Sequence, residues 1–393
     1  MEIIFWAITV VVTAQMLFVI WNLRHLPRLM VFEAGRQWLD ENDAALDNRP
    51  KLSVLIPARN EVDRIADCIA GVLADPSPHI EVLVLDDRSE DGTAELVRQA
   101  GDGDPRLQLI TGEEPPPDWM GKSYACWQLA QRAQGQWWLF LDADVRVGPN
   151  GLAVLLNAAL EQGNGLITGF PKQITETWLE KLIVPLMNFV IACHLPIKLV
   201  RDSHDPRFVA AHGACMLIHK DSYWSFGGHA AFRAHLVDDM QMAKAVKMAN
   251  QPVALVNICD HLSMRMYTDA HSVWNGYKKN IYAGVGRNPI VLFGMLVFYM
   301  FMYVIPALTV FVSIGCYAIV GVNGLATDLF VLSLVSWLIG LLIKTIIDWR
   351  YLLSWGHALW LPVSILLLIS IAIASWWASK DGRGYTWKGR TYQ

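Results

Sequence analysis

The sequence predicts an α/β domain with a mostly parallel sheet, joined to membrane-spanning helices at both ends of the chain. Of the 393 residues, 54% are hydrophobic and only 17% are charged, so the chain is more apolar than a typical soluble protein. The apolar excess lies at the two ends. Between them, short apolar runs alternate with helix-like stretches, which is typical of a mostly parallel sheet covered by helices.

The N-terminal segment predicts a membrane anchor within residues 1–30. Residues 3–23 carry no charge and are long enough to cross a bilayer as one helix. The segment lacks the basic start and the small-residue cleavage site of a signal peptide, and the basic residues Arg24 and Arg28 follow it. We therefore expect an uncleaved helix whose C-terminal end lies on the cytoplasmic side.

The middle of the chain, residues 50–288, predicts a folded domain that faces the cytoplasm. Apolar runs typical of buried strands occur at residues 52–56, 81–85, 107–110, 137–141 and 166–168. Helix-like stretches begin near Glu61, Asp91, Lys122 and Gly151. A further apolar segment, residues 182–200, is compatible with a helix on the membrane surface or with a helix buried against the sheet.

Residues 289–379 predict a C-terminal transmembrane region. Its apolar runs cover residues 290–320, 329–343 and 358–378. The first run contains Pro306 near its middle, so it is compatible with one kinked helix or with a re-entrant hairpin. The hairpin is favoured because it places the basic and aromatic tail, residues 380–393, on the cytoplasmic side.

Charge and cysteine content exclude several classes of function. A net charge of −4 gives no electrostatic footprint for nucleic acid, so no nucleic-acid partner is expected. The six cysteines include no C-x-x-C pair, so neither a zinc knuckle nor a redox dithiol is expected. His212, His219 and His235 match no common zinc spacing and are expected to be ordinary polar residues.

Three acidic clusters are the candidates for chemistry. Asp86 and Asp87 follow a predicted strand, and carboxylates at the carboxyl ends of parallel strands face the crevice where open α/β sheets bind ligands. Asp142 and Asp144 follow another strand, where alternation places both carboxylates on one side, close enough to share a divalent cation. Asp239 stands at the head of a predicted helix, where it either complements the helix dipole or acts as a general base.

Six short motifs follow one another through this middle region. They are Pro57-Ala58-Arg59-Asn60-Glu61, Asp86-Asp87-Arg88-Ser89, Trp119-Met120-Gly121-Lys122, Asp142-Ala143-Asp144, Gly227-Gly228-His229 and Asp238-Asp239. No P-loop or dinucleotide-binding glycine motif accompanies them. The ordered set resembles glycosyltransferase family 2. The resemblance implies a GT-A fold, which is a nucleotide-sugar-binding α/β domain, and an inverting transfer from a nucleoside diphosphate sugar.

The resemblance also implies which residues bind the donor. The nucleotide sugar, a UDP-sugar, is expected to contact Pro57, Ala58, Glu61, Asp87, Lys122, Asp142 and Asp144. Within this set, Asp87 corresponds to the residue that contacts the nucleobase. Asp144, helped by Asp142, corresponds to the residue that binds Mg2+ or Mn2+ across the diphosphate.

The catalytic and acceptor-side residues follow from the same resemblance. Asp239 matches the catalytic base, and Asp238 lies beside it where many members have Glu. Arg265 matches the arginine that helps to hold the diphosphate. Gly228 and His229 match a loop on the acceptor side.

The element around Arg265 departs from the family pattern. Membrane-bound members carry Q-x-x-R-W, whereas Leu262 and Met266 stand here at the Gln and Trp positions. This difference disfavours a processive synthase. The sequence Arg265-Met266-Tyr267 and the tail motif Trp387-Lys388-Gly389-Arg390 resemble those of glycosyltransferases of carotenoid and polyprenoid acceptors, a group related to ceramide glucosyltransferases. The tail motif itself is read first as an interfacial anchor and second as part of the active site.

These features predict a multi-pass protein of a bacterial inner membrane. We expect it to transfer one sugar, glucose from UDP-glucose, to a hydrophobic lipid acceptor such as a carotenoid, a polyprenoid or a sphingolipid-like molecule. Two alternatives remain: a processive membrane polysaccharide synthase, and a non-catalytic membrane scaffold that binds a nucleotide.

Overall fold

A computed structural model of the chain describes residues 2–30, 33–40, 51–320, 324–380, 385–387 and 390–392. The chain divides into two compact units. One contains Met1–His25, Thr175–His194 and Tyr267–Gln393, and we call it the helical unit. The other contains Leu26–Ile174 and Leu195–Met266, and we call it the sheet unit.

Helices and strands alternate through the first half of the chain, and long helices dominate the last third. In order, the elements are α1 (Glu2–Leu23), α2 (Glu33–Asp40), β1 (Leu52–Ala58), α3 (Ile65–Leu73), β2 (Ile80–Asp86), α4 (Thr93–Gly101), β3 (Leu107–Thr111), α5 (Gly121–Arg132), β4 (Trp137–Leu141), β5 (Val145–Val147), α6 (Gly151–Gln162), β6 (Leu166–Phe170), β7 (Lys172–Gln173), α7 (Trp178–Ile183), α8 (Leu186–His194), α9 (Ile197–Asp202), β8 (Cys215–His219), α10 (Lys220–Ser225), α11 (Asp238–Met248), β9 (Val253–Asn257), β10 (Leu262–Met264), α12 (Ala270–Gly284), α13 (Pro289–Tyr299), α14 (Ile305–Val320), α15 (Gly324–Arg350), α16 (Leu361–Lys380), β11 (Tyr385–Trp387) and β12 (Arg390–Tyr392).

The sheet unit is built on seven strands in the order β3-β2-β1-β4-β8-β6-β9. Neighbouring strands are parallel except around β8, which pairs antiparallel with both β4 and β6. The carboxyl ends of β2, β1 and β4 therefore meet at one edge, and β8 begins at that same edge. A smaller sheet of β5, β10 and β7 completes the unit. This edge is where the three acidic clusters were expected to converge.

Strand β4 is held by packing on both of its faces. Trp137 and Leu139 join the large core shared with β1, β2 and α6. Trp138 and Phe140 face the other way, and their rings lie 5.2 and 5.7 Å from that of Tyr223. Burying a large apolar side chain stabilises a fold by roughly 1.5–3 kcal/mol. The strand that leads into the Asp142 motif is thus rigidly placed.

Among the described residues of the helical unit, four helices are long and apolar enough to cross a membrane. They are Glu2–Leu23, Pro289–Tyr317, Thr327–Arg350 and Trp355–Lys380. Within the third of these, Lys344 and Asp348 are buried and pair with each other. An unpaired charge would be costly among apolar helices, so the pairing is expected there.

The preference for a re-entrant hairpin at residues 290–320 is wrong. Helix α13, a π-helical turn at Met300–Val304 and helix α14 follow one another without a break. Proline cannot donate to the carbonyl four residues earlier, and its ring crowds that carbonyl. The wider π turn just before Pro306 accommodates both effects, so the chain continues as one helix.

Residues 182–200 are divided between the two units, with α8 in the helical unit and α9 in the sheet unit. The placement of this segment on the membrane surface stays a prediction. In the helical unit, α8 packs against α1 and α15, and its Phe189 ring lies 5.3 Å from that of Tyr303. The neighbours α1 and α15 are themselves apolar helices. In the sheet unit, by contrast, α9 packs beside β9. The helix buried against the sheet is therefore observed for α9 alone.

The predicted α/β architecture is confirmed. The five predicted strands correspond to β1, β2, β3, β4 and β6, and the predicted helices correspond to α3, α4, α5 and α6. Residues 267–288, assigned from sequence to the middle domain, lie in the helical unit. In the tail, β11 and β12 pair antiparallel, whereas Lys388 and Gly389 lie outside the described residues. The anchor role of the tail stays a prediction.

Candidate functional site

The carboxyl ends of β1 and β2 form one part of the site. The strands run parallel, with Ala58 paired to Asp86. Asp87 follows and is buried, and its backbone N–H donates to the carbonyl of Ala58 at 2.7 Å. The guanidinium of Arg59 donates to the carbonyl of Asp87 at 2.6 Å. These bonds fix Asp87 in the strand-end crevice, where open α/β sheets bind nucleotides.

The loops that leave these two strands are tied together by side chains. Asn60 has a φ of 51°, a left-handed conformation that asparagine tolerates better than most residues. Its backbone N–H donates to the hydroxyl of Ser89 at 3.0 Å. The backbone N–H of Glu61 donates to the hydroxyl of Thr93 at 2.8 Å. Glu61 is thereby held at the edge of the site.

A pocket lies beside these strand ends, bounded by β4 and the starts of α5 and α11. Its lining residues are Pro57, Lys122, Cys126, Phe140, Leu141, Asp142, Gly213, Met216, His229, Asp238, Asp239 and Met242. The pocket brings together six of the predicted site residues from five separate segments. Ala58, Glu61, Asp87 and Asp144 do not line this pocket, and lie in the loops and strand ends described above and below.

Lys122 forms the central ion pair of the pocket. Its ammonium nitrogen lies 2.6 Å from Oδ1 of Asp142. Burial lowers the pKa of Lys122, but the carboxylates of Asp142 and Asp238 outweigh burial and raise the pKa well above its usual value. Lys122 is therefore a permanent cation between two acidic clusters.

The carboxylate of Asp239 is held by backbone donors from two different elements. The N–H of Gly213 donates to Oδ2 at 3.0 Å, and the N–H of Met240 donates to Oδ1 at 2.7 Å. Burial, with the neighbouring charge of Asp238, raises the pKa of Asp239 to about 7. A carboxylate with a pKa near neutral pH is suited to accept a proton during a reaction.

Asp144 lies between β4 and β5, immediately before Val145, and its two carboxylate oxygens differ in their contacts. Its Oδ1 is buried and has no hydrogen-bond partner among the described residues, while Oδ2 lies 3.6 Å from the guanidinium of Arg64. Burial, together with the carboxylates of Asp142 and Glu61, raises the pKa of Asp144 to about 7. A buried oxygen without a partner among neighbouring carboxylates fits a cation ligand.

The described residues contain no group of three or more His, Cys, Asp or Glu side chains arranged to hold a metal ion. This finding is compatible with the expected cation. Mg2+ is commonly held by one or two carboxylates together with substrate phosphates, not by an all-protein cage. Asp144 and Asp142 are the carboxylates that the sequence predicts for such a site.

Arg265 is brought to the same region by strand register. In the small sheet, β10 and β5 pair antiparallel, with Met264 opposite Val145. Arg265 follows Met264, and Asp144 precedes Val145. If the pairing is extended by one residue beyond each strand, Arg265 lies opposite Asp144.

His229 belongs to the pocket wall, and Gly228 precedes it where the backbone packs against Tyr223. His229 lines the pocket, and its Nδ1 lies 2.8 Å from the hydroxyl of Tyr223. Burial lowers the pKa of His229 to about 3, so the ring is neutral. Gly228 has a φ of 60°, and a Cβ there would lie 2.3 Å from the Tyr223 ring. Only glycine fits at this position.

Sequence reasoning missed three contributors to the site. Gly213 and Arg64 contact Asp239 and Asp144 directly, but neither belongs to a motif that was recognised. His212 was expected to be ordinary, yet it is buried beside Gly213 and within electrostatic reach of Asp142. The spacing His212-Gly213-Ala214 before an apolar strand was the available signal. It was not used because β8 was not predicted.

Comparisons with known proteins agree with this geometry. Residues 53–227 match the sequence model of the family described as Glycosyl transferase family 2. The 4,4'-diaponeurosporenoate glycosyltransferase of Staphylococcus aureus strain USA300 is 26% identical over 257 residues, which cover 65% of this chain and 67% of that protein. The protein of the same name from strain MRSA252 is 26% identical over 348 residues, covering 88% and 89% of the two chains.

A solved structure resembles the whole chain. It is the mannosyltransferase PcManGT from Pyrobaculum calidifontis in complex with GDP-Man and Mn2+. The TM-score is 0.52 and the sequence identity is 16%, with 97% of this chain and 98% of that chain covered. The similarity supports the fold. The expected GT-A-type α/β fold with apolar helices at both termini is thereby confirmed.

Proposed function

We propose that this chain, which carries a glycosyl transferase family 2 domain and is a glycosyltransferase, transfers one glucose from UDP-glucose to a carotenoid-type lipid acceptor with inversion. One observation carries the proposal. A single pocket joins a Lys122–Asp142 ion pair to a buried, doubly hydrogen-bonded Asp239 carboxylate, at the sheet edge that binds nucleotides in open α/β folds.

The donor is proposed to extend from the strand ends into this pocket. The base and ribose lie against Ala58 and Asp87, where backbone bonds fix the crevice. The diphosphate lies between Lys122 and Arg265, two cations that offset its charge. The sugar then reaches the pocket lined by Asp239.

The transfer is a single displacement at the anomeric carbon. The acceptor oxygen forms a bond to that carbon while the bond to the diphosphate breaks, and the diphosphate leaves with the electron pair. The proton of the acceptor hydroxyl passes to the carboxylate of Asp239. Attack opposite to the leaving group inverts the anomeric centre.

Divalent-metal dependence is part of the proposal. Asp144, through its unpartnered buried oxygen, and Asp142 are the residues that would hold Mg2+ or Mn2+. Such a cation, when bound, stabilises the charge that develops on the leaving diphosphate. Lys122 and Arg265 act on the same charge without the cation.

The acceptor is proposed to be a membrane lipid. The S. aureus relatives are named for a carotenoid carboxylate, and four apolar helices in the described part of this chain are long enough to hold it in a bilayer. We further propose that the sheet unit faces the cytoplasm of a bacterial inner membrane. A hydroxyl acceptor must lose a proton in the transfer, and the Asp239 carboxylate, which two backbone N–H groups hold in place, is proposed to take it.

Membranes containing the chain test this proposal directly. We expect that incubation with a panel of labelled nucleotide sugars will label one class of extracted lipid from UDP-glucose, with a mass increase of one hexose. Membranes that contain the Asp239→Asn variant are the control. A ladder of products would support a processive synthase, and nucleotide binding without product would support a scaffold.

The pH dependence of transfer should report the ionisation of Asp239. Because burial raises its pKa to about 7, the carboxylate is protonated and inactive at lower pH. We expect kcat at saturating Mn2+ to rise about tenfold per pH unit below about pH 7 and to level off above it. Saturating metal is needed because the proton also competes for Asp144. A flat profile between about pH 5.5 and 8 would contradict the base assignment.

A further inference from the structure

A tight turn at residues 212–215 presents the backbone donor that reaches Asp239. The N–H of Cys215 donates to the carbonyl of His212 at 3.0 Å and closes the turn. The N–H of Gly213 points away from the turn and donates to Oδ2 of Asp239 at 3.0 Å. The orientation of the Asp239 carboxylate therefore depends on a segment that is remote from it in sequence.

The hydroxyl of Thr168 ties both ends of this turn to the neighbouring strand. Thr168 lies on β6 and is fully buried. Its hydroxyl accepts the N–H of His212 at 3.2 Å and donates to the carbonyl of Cys215 at 2.9 Å. A hydroxyl that both donates and accepts leaves neither backbone group of the turn unsatisfied.

His212 supports the same turn from within. Its Nδ1 accepts the N–H of Ala214 at 3.2 Å, so the neutral ring carries its proton on Nε2. Burial lowers the pKa of His212 to about 4, and the ring stays neutral at physiological pH. A charged ring would carry a proton on Nδ1 and lose this bond.

We propose that Thr168 and His212 are positioning residues that hold the 212–215 turn so that the Gly213 N–H fixes the Asp239 carboxylate for proton transfer. The inference rests on the proposed function, since it needs Asp239 as the base. The terminal torsion of an aspartate side chain is soft. The donor from Met240, on its own helix, restrains one oxygen, and the donor from Gly213 restrains the other.

The chain offers a matched control for Thr168. The hydroxyl of Ser222 is also buried, accepts the backbone N–H of Gly165 at 2.9 Å and donates to Gln251 at 3.0 Å. Ser222 follows the C-terminal end of β8, whereas the turn that contacts Asp239 lies at the N-terminal end of that strand. Thr168→Val and Ser222→Ala each remove one buried hydroxyl that accepts a backbone N–H and donates to an oxygen, so both are expected to lower the melting temperature.

The experiment measures transfer from UDP-glucose to a hydroxylated carotenoid by the purified full-length chain in detergent. We expect Thr168→Val to lower kcat about tenfold, to leave the KM for UDP-glucose unchanged and to shift the acidic limb of the pH profile upward. The shift arises because the Gly213 N–H lowers the pKa of Asp239. Thr168→Ser, which keeps the hydroxyl, should restore both kcat and the limb.

A second pair of variants tests His212 in the same way. Asparagine can accept the N–H two residues ahead of it in an Asx-turn, so His212→Asn should retain most of the turnover, whereas His212→Leu should resemble Thr168→Val. The proposal is overturned if Thr168→Val matches Ser222→Ala in kcat and in pH profile. Full turnover by Asp239→Asn would instead remove the base assignment itself, so the two failures are distinguishable.

Discussion

The Asp239→Asn variant is expected to lose transfer to a hydroxyl acceptor by on the order of 10²–10⁴-fold while it binds UDP-glucose almost normally. Asparagine keeps the shape of the side chain but cannot take the acceptor proton. Its amide oxygen can still accept one of the two backbone N–H groups that now reach Asp239. Titration of UDP-glucose with the membrane-bound variant, followed by single-turnover transfer, separates binding from chemistry.

Asp221→Asn is the matched control for this substitution. Asp221 also lies in the first turn of a helix, α10, but its side chain is 77% exposed and it does not line the pocket. The general effect of removing a carboxylate from a helix N-terminus is about 0.3–1 kcal/mol of stability. We expect Asp221→Asn to transfer at the wild-type rate. If Asp239→Asn did so as well, Asp239 would not be the base.

The nature of the acceptor changes the size of this effect. A carboxylate acceptor has no proton to give at neutral pH, so Asp239 would then serve to position the acceptor and not to deprotonate it. With a carotenoid carboxylate as acceptor, Asp239→Asn is therefore expected to lose much less activity than with a hydroxylated carotenoid. Comparison of the two acceptors with the same variant distinguishes these roles.

Residues at the ends of parallel strands were predictable from the sequence. The apolar runs before Asp86 and Asp142 predicted β2 and β4, and the shared edge of parallel strands then predicted that their carboxylates converge. Local pattern was sufficient because each strand is buried and each is followed by its acidic motif. The same reasoning placed Lys122 at the start of a helix, although its ion pair with Asp142 required coordinates.

The support of Asp239 was not predictable in the same way. Gly213 reaches Asp239 only because β8 enters the sheet antiparallel between β4 and β6, and no local pattern fixes the position of an inserted strand. Arg64 contacts Asp144 from the turn before α3, a region expected to be helical from Glu61. In both cases the contact depends on tertiary packing between segments far apart in the chain, which hydrophobic periodicity does not encode.

The Asp144→Ala variant is expected to lose the dependence of UDP-glucose binding on Mn2+. The variant removes the buried oxygen that has no partner among the described residues, which is the atom best suited to a hard cation. We expect affinity for UDP-glucose in saturating Mn2+ to fall by on the order of a hundredfold, toward the value of the wild type in a chelator. Equilibrium binding with Mn2+ and with chelator measures both quantities.

Stability provides an independent check that Asp144→Ala stays folded. The pKa of Asp144 is raised above its ordinary value, so without metal its ionised form opposes folding at neutral pH. The folded state becomes more stable as the pH falls below about 7, because the carboxyl group of Asp144 then takes up a proton. Removing the carboxylate should therefore not lower the melting temperature of the metal-free protein at pH 7.

Asp67→Ala is the control for Asp144→Ala, since it also removes a carboxylate that pairs with an arginine. Asp67 pairs with Arg146 at 2.7 Å, and its side chain is 59% exposed, so its removal should leave Mn2+-dependent binding unchanged. The outcome that contradicts the metal assignment is equal affinity of Asp144→Ala and wild type in Mn2+. In that case the diphosphate would depend on Lys122 and Arg265 alone, and chelation of the wild type should then have no effect on binding.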